Sequence, residues 1–204
     1  MWRVQPVSRD AGLQRLIDAI DAGLLARPRG NETFQASRKV LAALNRRSGQ
    51  PAAVAPQRLA VCSELTTALA EAAMAAPPMP EIALAFAAIE PQLAWWRRDT
   101  ADPTDSRFYN GHANASIIGP SGSLEERDDV WLGVSLMAPR VLYPVHNHPP
   151  EEVYLALTSG HWWNAGMDWS EPGPGGTIYN PPGIAHAMRS GAKPFLALWL
   201  LPLD

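Results

Sequence analysis

Two histidines two apart, His146 and His148, are followed four residues later by a carboxylate, Glu152, in the stretch YPVHNHPPEEVY. Thirty-four positions beyond Glu152, at the end of PPGIAH, stands His186. Imidazole nitrogen and carboxylate oxygen are the donors that a borderline divalent ion takes. The set therefore predicts one mononuclear metal site, for Fe, Zn, Mn, Co or Ni. A lone His-x-His would read as two polar strand residues; the carboxylate at a fixed offset and the distant histidine after a Pro-Pro-Gly turn make the pattern specific. Tyr143 and Tyr154 bracket the stretch. His112 and His161 lack ligand spacing and read as ordinary loop or strand residues, His112 being the better site candidate of the two.

Rigid strands are what such a set needs. His146 and His148 share parity, so on an extended strand both point to one face. Pro149-Pro150 then interrupts the ladder, and EEVYLALTSG resumes it. Glu152, Tyr154, Ala156 and Thr158 fall on one face; Val153, Leu155 and Leu157 fall on the other. The ligand-bearing face is expected to line a barrel interior. The other is too apolar to meet water and calls for cover by helices or a second sheet. DDVWLGVSLMA sets Val130, Leu132, Val134 and Leu136 against Trp131, Gly133 and Ser135, and PFLALWLL sets Phe195, Ala197 and Trp199 against Leu196, Leu198 and Leu200. Alternation with a period of two is a strand signal. Short strands of this kind between Gly and Pro turns predict a sandwich or barrel. A further strand is expected near Ala113–Ile118, and another through Trp162 and Trp163, whose adjacency puts them on opposite faces.

The first half reads differently. Leu13, Leu16, Ile17, Ile20 and Leu24 recur at helical spacing within 9–25, with Ser8 or Asp10 as cap. A second helix is expected from Asn31 or Thr33 through Leu44. A linker spans 48–57, a third helix runs from about Arg58 to Met74, and a fourth from about Glu81 to Trp95. No histidine falls among them. The residues divide into a helical N-terminal extension, 1–105, and a strand-rich part, 106–204, that is a sandwich or a barrel.

Composition narrows the partners. Of the 204 residues 47 % are hydrophobic and 18 % charged, as in a globular protein. Net charge is −3 with no block of Lys or Arg, which argues against nucleic acid. The single cysteine, Cys62, excludes an internal disulfide and fits a reducing compartment, where it reads as a buried structural thiol. Neither a signal peptide nor a membrane-length apolar run is read in the chain, so a cytoplasmic protein without membrane contact is expected.

HNHPPEE and PPGIAH match the two motifs of the cupins, HxHxxxE and PxGxxH. The glycine usual six residues before the first histidine is Arg140 here, and the asparagine usual four after the last is Ser190. Those departures concern turn geometry more than ligation. The resemblance implies a mostly β protein, a double-stranded β-helix barrel over roughly 106–204 with the helices packed on it, and a possible homodimer. A narrower resemblance follows from the tyrosines. Tyr143, His146, His148, Glu152, Tyr154 and His186, together with NGHANASIIGPSG, look like the cupin-type dimethylsulfoniopropionate (DMSP) lyases, the Q type of marine bacteria above all.

That resemblance implies β-elimination of DMSP, a small zwitterion, to dimethyl sulfide and acrylate. Such a reaction needs a base at the carbon next to the carboxylate and a counter-charge on the carboxylate itself. A metal supplies the second. Tyr154, two residues from Glu152 on the same face, is the candidate base, provided a nearby cation lowers its ordinary titration near ~10. Tyr143 is given a supporting part: carboxylate anchoring, metal contact or a second acid–base group. Aromatic faces suit a sulfonium, with Trp131, Trp162 or Trp163, Tyr179 and Trp199 as candidates. Two alternatives use the same ligands: another metal-dependent cupin enzyme, an oxygenase or isomerase of a small carboxylate or sugar acid, and a non-catalytic ligand-binding cupin.

Overall fold

The structure, a computed structural model, describes residues 9–25 and 32–203. Helix α1 (Ala11–Leu25) buries Leu13, Leu16, Ile17, Ile20 and Leu24, the stripe its periodicity predicts. Asp10 caps it, accepting from the backbone N–H groups of Gly12 and Leu13 at 2.8 and 3.0 Å. Ser8 and Asn31, the other proposed helix starts, lie outside the described residues. Helix α2 (Glu32–Arg46) buries Val40, Leu41 and Leu44. A two-residue strand, β1 (Gln50–Pro51), interrupts the expected linker.

Two of the expected helices are shorter than their patterns. The third begins as a 3-10 turn, Ala60–Glu64, that buries Val61 and Cys62, and is α-helical only as α3 (Leu65–Ala73). The fourth, α4 (Met79–Ile89), gives way to a 3-10 turn, Glu90–Gln92, instead of reaching Trp95, because Pro91 has no N–H to continue the helical ladder and Leu93 is extended. Trp95–Trp96 then form β2. The loop expected after residue 100 holds a short helix, α5 (Ser106–Gly111), capped by Asp105.

The rest is strands: β3 (His112–Gly119), β4 (Glu125–Glu126), β5 (Val130–Met137), β6 (Leu142–His146), β7 (Glu152–Ala156), β8 (His161–Asn164), β9 (Met167–Ser170), β10 (Thr177–Asn180), β11 (His186–Arg189) and β12 (Phe195–Pro202). They form a large sheet in the order β1-β4-β3-β5-β12-β7-β10, with β2 added on β3, and a smaller sheet, β6-β11-β8-β9. Faced together, the two sheets make a cupin barrel.

Alternation along each strand decides which core a side chain joins. Leu132, Val134, Leu136, Leu155, Leu157, Leu196, Leu198 and Leu200 pack with the four long helices in one continuous apolar cluster. Helices therefore cover the apolar outer face of the large sheet. Their partners in alternation, Met137, Tyr154, Ala156, Phe195, Ala197 and Trp199, fill the interior with residues of the small sheet such as Trp162 and Met188. Charge holds the same junction. Buried Glu125 takes the Nε of Arg9 at 2.7 Å. Buried Arg127 donates to the Ala43 carbonyl at the end of α2 at 3.1 Å and pairs with Asp129 at 2.7 Å.

Interior packing is tight where a glycine faces a tryptophan. Gly133 and Trp199 are cross-strand partners, and a Cβ on Gly133 would lie 2.1 Å from the indole ring and 2.7 Å from the Ala115 carbonyl. Gly133→Ala is therefore expected to lower stability by about 1–3 kcal/mol, the usual range for overpacking. Urea unfolding checks this; an unchanged midpoint would refute it.

Candidate metal centre

Strand pairing brings the ligand candidates together from both sheets. Glu152 opens β7 and lies directly across from Asn180 on β10. His186 opens β11, flanked by His146 on β6 and Asn164 on β8. His148 lies beyond the end of β6, so the shared strand face expected for His146 and His148 is replaced by a turn at the barrel mouth. One ligand atom from each of His148, Glu152 and His186 falls within 4.8 Å of the others. The Nε2 atoms of His148 and His186 are each 3.4 Å from the same carboxylate oxygen, Glu152 Oε2. His146 is outside this tight group. Its ring packs beside that of His186, with centroids 4.0 Å apart, and beside Tyr143 at 4.8 Å.

Hydrogen bonds fix the imidazole tautomers. His146 Nδ1 is 2.9 Å from the Pro144 carbonyl, His148 Nδ1 is 2.9 Å from that of Pro150, and His186 Nδ1 is 3.0 Å from that of Ile184. A carbonyl only accepts, so each Nδ1 carries the hydrogen and each neutral ring presents its Nε2 lone pair. His186 is buried, and its Nε2 has no hydrogen-bond partner. An unpartnered lone pair facing a buried carboxylate and a second Nε2 fits a divalent ion, and the donor types suit the transition metals named from the sequence.

Electrostatics favour the neutral form of two of the three rings. Burial and the adjacent His186 push His146 down to about 3, so its ring stays neutral. Burial likewise lowers His186. For His148, burial pulls downward but the adjacent Glu152 carboxylate outweighs it, so the net shift is upward. Glu152, 3 % exposed, would be pushed up by burial, yet His148, His186 and Asn180 together hold it below the usual carboxylate range. Tyr154 is raised well above its ordinary value, by burial first and then by the Glu152 charge. Tyr143 is also raised by burial, against a hydrogen bond from Asn114 Nδ2 at 3.4 Å. Without a cation in the site, both tyrosines are neutral phenols at physiological pH.

An outer layer supports the donors. Asn180 Nδ2 donates to Glu152 Oε2 at 3.1 Å, and Asn164 Nδ2 donates to Asn180 Oδ1 at 3.0 Å. This chain orients the carboxylate toward the histidines. Asn180→Ala is expected to weaken Zn(II) binding about 10–100-fold, the usual effect of losing an outer partner. Titration against a competing chelator checks this, and an unchanged affinity would remove Asn180 from the site.

A cavity of about 410 Å³ opens over the centre, lined by Tyr143, His146, His148, Glu152 and Tyr154 and, from the large sheet, by Trp131 and Trp199. That volume suits a small molecule. The two indoles meet edge to face, centroids 5.1 Å apart. Of the other aromatic candidates, Trp162 is core, packed on Phe195 at 4.8 Å. Trp163 faces the other way on β8. Tyr179 donates to Glu151 at 2.8 Å and lines no part of this cavity. Residues without a signal in the local pattern also line it: Trp96, Arg98, Asn114 and Ser135. Asn114 and Ser135 are cross-strand partners joined at 2.7 Å, and Asn114 belongs to the NGHANASIIGPSG stretch, the one clue the sequence offers. His112 is buried and satisfied: Nδ1 donates to the Phe108 carbonyl at 2.6 Å, and Nε2 accepts the Arg98 backbone N–H at 3.2 Å.

Comparison with known proteins adds an independent line. A family model described as dimethylsulfoniopropionate lyase matches residues 33–197. The dimethylsulfoniopropionate lyase DddQ of Ruegeria pomeroyi is 33 % identical over 94 residues, 46 % of this chain and 46 % of that protein. The match thus spans just under half the length of that relative. A crystal structure of DMSP lyase DddQ from Ruegeria pomeroyi superposes with a TM-score of 0.73 at 24 % identity, covering 96 % of this chain and 93 % of the other. A structure from work on the DMSP lyases RdDddP and RnDddQII gives 0.67 at 19 % identity, covering 94 % and 92 %. At these identities the superpositions establish the shared fold. No helix among the described residues is long and apolar enough to cross a membrane.

Proposed function

The chain belongs to the dimethylsulfoniopropionate lyase family, and from that premise we propose that it cleaves DMSP to dimethyl sulfide and acrylate in a metal-dependent β-elimination, with Tyr154 as the base. The observation that carries this reading is that buried Tyr154 shares one small cavity with His146, His148 and Glu152, while His186 offers a ligand atom within 4.8 Å of those of His148 and Glu152.

His148, Glu152 and His186 would hold the ion, with His146 alongside to complete or shield the set. Bound there, a divalent cation would supply positive charge that draws electrons from the substrate carboxylate and lowers the proton affinity of Tyr154. The protein's own groups do the rest. Tyr154, as phenolate, takes a proton from the carbon next to the carboxylate. The electron pair left on that carbon forms the new double bond, and the C–S bond breaks toward sulfur. Sulfur leaves as neutral dimethyl sulfide, and the three-carbon fragment leaves as acrylate. Tyr143, held by Asn114 and set edge-on to Phe108 at 4.8 Å, would orient the substrate. The ring faces of Trp131 and Trp199 suit the sulfonium, a soft cation without hydrogen-bond donors.

Headspace dimethyl sulfide, assayed with the pure protein, DMSP and each of Fe(II), Mn(II), Zn(II), Co(II) and Ni(II), tests the proposal. Release in the presence of at least one metal, abolished by a chelator, is the expected result. Absence of release with all five would overturn it.

A further inference from the structure

One cation in the cavity has no part in the scheme above. Arg98 follows β2, is half-buried, and lines both the main cavity and the adjoining cleft beside Phe108 and Val145. Two contacts hold it there. Its backbone N–H is accepted by His112 Nε2 at 3.2 Å, and His112 is itself clamped, stacked on Phe108 with centroids 3.8 Å apart. Its side-chain Nε donates to Thr100 Oγ1 at 2.7 Å, which turns the two terminal nitrogens elsewhere. Tyr143 lines the same cavity and the same cleft.

Its guanidinium makes no ion pair among the described residues, although the Glu152 carboxylate lines the same cavity. Asp99 lines it too. Arg9, Arg38, Arg47, Arg58 and Arg127, by contrast, each pair with a carboxylate. A fixed guanidinium without a carboxylate, in a cavity of small-molecule size, is a receptor for one. Its planar fork matches carboxylate geometry, and charge-assisted bonds of this kind are about twice as strong as neutral ones. It also repels a cation, so it gives a zwitterion a single orientation.

We propose that Arg98 is the carboxylate anchor of this cavity, binding the anionic end of a zwitterionic substrate and directing its cationic end to Trp131 and Trp199. The assignment rests on the cavity being the substrate site. Propionate serves as the carboxylate probe and trimethylsulfonium as the cationic one, each titrated calorimetrically into metal-loaded protein. In Arg98→Met, propionate affinity is expected to fall at least tenfold while trimethylsulfonium binding is not weakened. Metal content stays at the wild-type level, and KM for DMSP rises by a larger factor than kcat falls. Arg98→Lys, which keeps the charge but loses the fork, is expected to fall between, and supplies the test if the methionine variant does not fold. Unchanged propionate affinity in either variant, or equal weakening of both probes, would overturn the anchor. Propionate binding needs no turnover. If the wild-type protein releases no dimethyl sulfide but binds propionate through Arg98, the lyase proposal falls and the anchor stands.

Discussion

Tyr154→Phe is expected to lower dimethyl sulfide release by about 10³-fold, within the 10²–10⁴ range that one acid–base group contributes, while the protein keeps its fold and its metal. The substitution removes one oxygen and no ring. Tyr154 is 3 % exposed, lies across from Trp199 on β12, and sits 6.3 Å from Trp162, so the phenyl ring keeps its packing. The His and Glu donors that meet at the centre, His148, Glu152 and His186, are all left in place. Steady-state rates, metal analysis and near-ultraviolet circular dichroism together check the prediction. A variant that retains more than a tenth of wild-type turnover would remove Tyr154 from the proton step. A variant that loses its metal would instead show the hydroxyl to be a ligand.

Loss of His186 should have the second large effect. Its Nε2 is buried without a partner, and its Nδ1–H is committed to the Ile184 carbonyl, so the ring is built to offer one lone pair inward. His186→Ala removes that donor and leaves the buried Glu152 with one histidine, His148, beside it and the hydrogen bond from Asn180. Structural zinc sites gain roughly 10–16 kcal/mol from about four ligands; losing one donor should therefore weaken binding by at least two decades. Elemental analysis after dialysis is expected to find less than a tenth of the wild-type metal, and dimethyl sulfide release should fall with it. Zn(II) should raise the Tm of the wild-type protein and leave that of the variant unchanged, since only a bound ligand stabilises the folded state. Wild-type metal content in the variant would exclude His186 from the centre.

Much of the barrel was legible because strand alternation is a local property. Leu155 and Leu157 pack under the helices while Tyr154 and Ala156 face inward, as a period of two requires. The ends of elements were harder. Pro91 cuts α4 short of Trp95, and Pro149-Pro150 leaves His148 outside the strand that holds His146. In both places a proline outweighs a pattern that would otherwise continue. The outer partners of the site were not legible at all. Asn180 reaches Glu152 across a ladder from 28 residues away, and no local spacing encodes that meeting.

By itself the sequence determined the donor types, their offsets along the chain, the tyrosines beside them and the inward parity of Glu152 and Tyr154. These are properties of neighbouring residues on one backbone, and the period of a strand carries them. Tertiary structure alone decided that His186 crosses to His146 and Asn164, that three donors meet while His146 stands alongside, that Trp131 and Trp199 line the cavity while Trp162 becomes core, and that Arg98 enters it without a carboxylate partner. Each of these follows from the register between segments distant in sequence. Register is set by the packing of whole faces against one another, and no single stretch of the chain contains it.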